Sequence, residues 1–120
     1  MEINQAVQAL GALAQETRLA VFRLLVQAGA EGLAVVKIAE GLGIAANGRL
    51  TFHLKELVNA GLVHSQTQGR LVYYRANYTG MNALLAYLTE NCCGGGNCKE
   101  YVDACQPSVS NMASSENSKD

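Results

Sequence analysis

The stretch Lys37–Val63, KIAEGLGIAANGRLTFHLKELVNAGLV, decides the fold. Its first half continues a pattern that opens at Leu33. Val35, Ile38, Ala39 and Leu42 recur at helical spacing and put one apolar face on a short helix over Leu33–Leu42. Gly43 breaks that helix, and Ile44 is expected to pack inward. Asn47 is a residue type whose side chain accepts hydrogen bonds from the first N–H groups of a helix. A second helix is therefore predicted over Gly48–Asn59, with Leu50, Leu54, Leu57 and Val58 on its buried face. Gly61 suits the left-handed position just past a helix end. A short helix, a tight glycine turn and a second helix form a helix-turn-helix, the arrangement in which the second helix enters the major groove of DNA.

The flanks agree with this centre. Upstream, Val7, Leu10 and Leu13 give an apolar stripe to a helix over Ile3–Ala14. A second helix starts at Glu16 or Thr17, is apolar almost all round, and ends at Gly29 and Gly32. Downstream, Leu62–Thr67 and Leu71–Ala76 read as two strands joined by Gln68, Gly69 and Arg70. Val72 and Tyr74 alternate with Tyr73 and Arg75, the pattern of a half-buried hairpin. A last helix is predicted over Gly80–Asn91, capped by Thr79, with Met81, Leu84, Leu85 and Leu88 as its stripe. The fold class is α+β, mostly helical: a winged helix-turn-helix whose hairpin is the wing. The outer helices carry more apolar surface than one small core covers, which predicts a homodimer.

Stepping 100° per residue from Leu50 places Phe52 on the opposite side of the second helix. Gly48, Arg49, Lys55 and Glu56 flank it, and Thr51 and His53 lie on the borders. A bare aromatic on a polar face fits contact with a thymine methyl, and Arg49 can bond guanine bidentately. Gly48 lets the backbone approach DNA. Lys55 and Arg70 suit phosphates, which fix register rather than sequence. His53 fits either packing or a phosphate contact, and packing under the wing or another helix is the alternative for Phe52. The candidate DNA-binding set is Asn47, Gly48, Arg49, Thr51, Phe52, His53, Lys55 and Arg70. The chain's formal net charge of −1 argues against nucleic acid, but its distribution reverses that. From Asn47 to Arg75, Arg49, Lys55, Arg70 and Arg75 face Glu56 alone. A locally basic segment can meet phosphates within a neutral chain.

The segments LAQETRLAVFRLL (Leu13–Leu25), Lys37–Val63 as quoted, and GRLVYYRAN (Gly69–Asn77) together resemble the ArsR/SmtB family of arsenic- and metal-responsive repressors. The resemblance implies a homodimer built on the first and last helices. It also implies binding to an imperfect inverted repeat of operator DNA and release when an inducer binds. Two of the family's ligand sets are absent. No Cys-x-Cys pair lies on the first helix of the helix-turn-helix, which reads Leu33-Ala34-Val35-Val36-Lys37. No His or Asp lies between Met81 and Glu90.

All four cysteines fall after residue 90. Cytosolic thiols are kept reduced, so such a cluster points to metal or redox chemistry rather than a disulfide scaffold. Cys92-Cys93-Gly94-Gly95-Gly96-Asn97-Cys98 brings three thiols into one glycine-rich loop. Thiolates select soft ions. Zn(II) usually takes four ligands, whereas As(III) takes three sulfurs in a pyramid. Cys92, Cys93 and Cys98 are therefore the candidate As(III) or Sb(III) ligands, and Cys105 stands apart. The alternative is a redox or persulfide switch in which Cys93 and Cys98 pair reversibly.

Catalysis finds no support: no His, Asp or Glu stands beside the cysteines as a general base. The triple glycine follows a helix rather than preceding one, the wrong side for an anion site. A metal-storage protein would not need a wing and an exposed recognition face. Residues 1–91 are read as the DNA-binding and dimerisation domain, 92–105 as the inducer-binding segment, and 106–120 as a Ser-, Asn- and charge-rich tail without a core. No run approaches the roughly 20 apolar residues that span a bilayer. Met1–Leu13 lacks the basic start of a signal peptide, so a cytoplasmic protein without membrane contact is expected.

Overall fold

α2 (Glu16–Ala28) is the element on which the rest is built, and Val21, Phe22 and Leu25 are its buried residues. The computed structural model describes residues 1–95. Met1–Leu88 form one unit, and the chain from Thr89 belongs to a second. α1 (Ile3–Leu13), α3 (Val35–Leu42) and α4 (Gly48–Asn59) all pack against α2, as does strand β3 (Leu71–Ala76). Ile38, Leu50, Leu54, Leu57, Leu62 and Val63 complete the centre of the core, each nearly inaccessible to solvent.

The expected winged helix-turn-helix is present, with five α-helices and a three-stranded antiparallel sheet in the order β1-β3-β2 among the described residues. β2 (Val63–Gln68) and β3 form the wing, with Gln68 paired to Leu71 across the two-residue turn Gly69–Arg70. The third strand is a departure from the expected helix start at Leu33. Leu33 and Ala34 form β1 and pair with Tyr74 and Tyr73. Periodicity reports only on neighbours in sequence, and this pairing partner lies forty residues downstream.

Two other expectations change for local reasons, the packing of Ile44 and the span of the last helix. α3 closes at Gly43, which takes the left-handed conformation (φ 67, ψ 34), and the Ile44 N–H donates to the Ala39 carbonyl at 3.0 Å. That bond turns the chain outward, so Ile44 stays 41% exposed instead of packing inward. α5 runs over Tyr78–Leu88 rather than Gly80–Asn91. Its start is organised by Asn77, not Thr79: the Asn77 Oδ1 accepts from the Gly80 N–H (3.1 Å) and its carbonyl from the Met81 N–H (2.9 Å). The Asn77 Nδ2 also donates to the Gly61 carbonyl at 2.8 Å, tying α5 to the end of α4. Gly80 lies so close to the Gly61 carbonyl that an added Cβ would collide with it.

On α1 the core-facing residues are the small Ala6 and Ala9, while Val7 and Leu10 stay exposed. On α5, Leu84 belongs to this subunit's own core, whereas Leu85 and Leu88 are about half exposed. α1 and α5 touch.

Candidate nucleic-acid interface

Asn47 sits in extended conformation (φ −132, ψ −174) and turns the chain into α4. Its Oδ1 accepts from the N–H groups of Arg49 (3.1 Å) and Leu50 (3.3 Å). The helix then presents Gly48, Arg49, Phe52 and Lys55 to solvent and buries Leu50, Leu54 and Leu57. Phe52 is 54% exposed, so it does not pack under the wing within this subunit. Thr51 is half-buried, and its hydroxyl donates back to the Asn47 carbonyl at 3.4 Å. Arg70 is exposed in the turn of the wing. His64 lies in β2 opposite Arg75.

His53 does not share the exposed face. It is 8% exposed, and its Nδ1 lies 3.2 Å from the Arg18 guanidinium. Arginine only donates, so Nδ1 accepts, and the ring proton is thereby assigned to Nε2. Of the two roles open to His53, the geometry gives packing. Burial lowers its pKa below the ordinary 6.5, and the charges of Arg18 and Arg49 lower it further, against the opposing effect of Glu56. Arg18 also donates through Nε to the Ala12 carbonyl at 2.7 Å. Nothing local in the sequence marks Arg18 for this contact, because 35 positions separate it from His53. A cavity of about 380 Å³ lies beside His53, lined by Thr17, Ile44, Asn47, Arg49 and His53 among others.

In the second unit, Cys92–Gly95 form a kinked turn in which Cys93 (φ 62, ψ 34) and Gly94 (φ 70, ψ 22) depart from helical geometry. Asn91 (φ 57) and Cys93 (φ 62) both adopt the left-handed region, which is uncommon for residues with a Cβ. Successive side chains of an extended chain point apart. Here the Cys92 and Cys93 sulfurs converge to 3.3 Å, and both residues are exposed. Cys98 and Cys105 lie outside the described residues, as does the tail. Among the described residues no three His, Cys, Asp or Glu side chains gather into a metal-binding cluster, and no helix is long and apolar enough to cross a membrane.

Residues 13–66 match the model of a family described as a helix-turn-helix domain. No curated protein matches the chain. Among solved structures, HlyU from Vibrio cholerae N16961 is 29% identical, with a TM-score of 0.59 over 78% of this chain and 99% of that one. The homodimeric winged helix-turn-helix DNA-binding domain Mb0332 from Mycobacterium bovis, a possible ArsR-family regulator, is 26% identical, with a TM-score of 0.59 over 79% and 87%. An ArsR-like transcriptional regulator from Rhodococcus sp. RHA1 shares the fold at 24% identity, with a TM-score of 0.65 over 86% and 91%. Fold and family match are those of transcriptional regulators, not of enzymes.

Proposed function

We propose that this chain, a winged helix-turn-helix transcriptional regulator of the ArsR type, binds operator DNA as a cytoplasmic homodimer and leaves it when As(III) or Sb(III) binds Cys92, Cys93 and Cys98. The observation that carries the inducer assignment is the convergence of the Cys92 and Cys93 sulfurs to 3.3 Å. Metal–sulfur bonds of about 2.3 Å let one ion span such a pair. Thiolates suit a soft ion, and the glycines after Cys93 leave Cys98 free to close on it in sequence. What the site supplies is differential affinity: bound ion fixes the loop in one shape, and that shape favours the dimer arrangement that does not hold DNA.

On the DNA side, Arg49 and Phe52 read base edges with Gly48 admitting the backbone, Lys55 and Arg70 grip phosphate, and Asn47 and Thr51 shape the start of the helix. The dimer forms through the exposed apolar residues of α1 and α5, and the homodimeric state of the Mycobacterium bovis domain supports a dimer.

The test is arsenite titration of the reduced protein on a duplex selected from a random library. Cys92→Ser, Cys93→Ser and Cys98→Ser are expected to bind the duplex like the parent and to stay bound under arsenite, because hydroxyls are harder and weaker ligands. Cys105→Ser is expected to release normally. A triple variant that still leaves DNA at the parent's arsenite concentration refutes the assignment. Release by a thiol oxidant but not by arsenite gives the cluster to redox sensing instead.

A further inference from the structure

Arg18 joins three helices at one point. Its Nε donates to the Ala12 carbonyl near the end of α1, and its guanidinium meets the His53 Nδ1 on α4. Its own backbone N–H, at the start of α2, is held by the Gln15 Oε1 at 2.8 Å. α1 exposes Val7 and Leu10, and α4 exposes Arg49 and Phe52. The link therefore runs from a helix with exposed apolar residues to the exposed face of α4. Arginine suits the place because its planar fork sends rigid donors in two directions, whereas a lysine ammonium is a single point on a flexible stem.

We propose that Arg18 is a positioning residue for DNA binding: by holding neutral His53 it fixes α4 against α1, and protonation of His53 breaks that hold and loosens the protein from DNA. The proposal rests on α4 being the recognition helix. An imidazole accepts at Nδ1 only while that nitrogen has no proton. Adding the proton removes the acceptor and sets an imidazolium 3.2 Å from a guanidinium. The cavity bounded by Thr17, Ile44 and Arg49 lies beside the ring and gives it space to withdraw. Such a movement displaces the part of α4 that carries Arg49 and Phe52.

The charges acting on the ring are Arg18 from α2 and Arg49 and Glu56 from α4 itself. α1 contributes the Ala12 carbonyl through Arg18, and on α3 the exposed Lys37 and Glu40 pair with each other at 3.5 Å. His64 on β2 is exposed. Burial and the two arginines place the His53 step below 6.5. The expected sign is unusual. Protonating a group on a DNA-binding protein ordinarily adds a favourable charge toward phosphates, whereas here acid weakens binding.

The experiment measures dissociation constants of the full chain on a duplex selected from a random library at about pH 7.5. The series runs down to about pH 5 at constant salt, the range in which histidine titrates. The parent is expected to lose affinity roughly tenfold through a step below 6.5. His53→Asn can set an amide oxygen near the Nδ1 position without a titrating proton, so it should keep the affinity and flatten the profile. Arg18→Met should bind weakly at every pH, and Arg18→Lys should not restore binding. A parent affinity that is flat or rises in acid overturns the proposal. So does an acid step that survives in His53→Asn, which assigns the step to another group, or an Arg18→Met protein that binds like the parent. A chain that selects no duplex at all refutes the recognition reading separately. The coupling is then decided by hydrogen exchange: relative to the intrinsic amide rate at each pH, acid must lower the protection of α4 amides in the parent and not in His53→Asn, and unchanged protection overturns it.

Discussion

Arg49, Phe52 and Arg70 are all exposed, and the proposed function gives them different work. Arg49 and Phe52 share one face of α4, where a helix in the major groove meets base edges. Arg70 stands in the turn of the wing, where a cation meets backbone phosphate. Arg49→Ala and Phe52→Ala are expected to cost about 1–3 kcal/mol on the selected duplex and little on random DNA. Arg70→Ala should weaken both alike and lower the slope of log affinity against log salt by about one. Fluorescence anisotropy on the two duplexes across a salt series separates the roles, and equal losses for all three variants would contradict them. His53 sits next to Phe52 in sequence with its ring centroid 5.9 Å away, yet it is buried where Phe52 is bare. One residue of helical rotation separates a side chain open to solvent from one held by Arg18.

At the scale of elements, the junction of α4 and α5 is built around two small residues. Gly61 follows α4 with φ 80, and its carbonyl accepts from Asn77 and faces Gly80. Asn77→Ala removes both a helix cap and this bridge, and is expected to lower stability by about 1–2 kcal/mol. Gly80→Ala forces a Cβ against a backbone oxygen that cannot swing aside, and should cost at least as much. Urea denaturation of both variants checks this, and a Gly80→Ala protein as stable as the parent would show that the junction yields. α4 was legible from sequence because every signal for it is local: the Asn47 cap, the leucine spacing, and Gly61 at the end. The start of α5 was misread because Thr79 and Asn77 both suit a cap, and the bridge to Gly61 that favours Asn77 spans 16 positions. β1 and the Arg18–His53 contact were hidden for the same reason, since each is fixed by a partner far along the chain. Convergence of Cys92 and Cys93 was legible only as a possibility, because it depends on two left-handed residues that composition does not announce.

For the whole molecule, the exposed apolar residues divide by purpose. Ile3, Val7 and Leu10 on α1 and Leu85 and Leu88 on α5 are each at least 41% exposed, on helices that touch one another. Leu85→Glu combined with Leu88→Glu is expected to give a monomer in sedimentation at micromolar concentration while the helical signal in circular dichroism persists. Leu84→Ala should instead destabilise the subunit by about 2–5 kcal/mol, because Leu84 is only 5% exposed. A stable monomer of the parent at the same concentration would remove the dimer from the proposed function. The sheet carries a separate consequence. β2 is an edge strand, and an unpaired edge is a template on which strands of other molecules can add. Here that edge reads Val63-His64-Ser65-Gln66-Thr67-Gln68, and every residue after the buried Val63 is exposed and polar. Two such edges brought together would have no apolar strip to shield from water. The wing can thus stay uncovered without becoming a seed for fibrils.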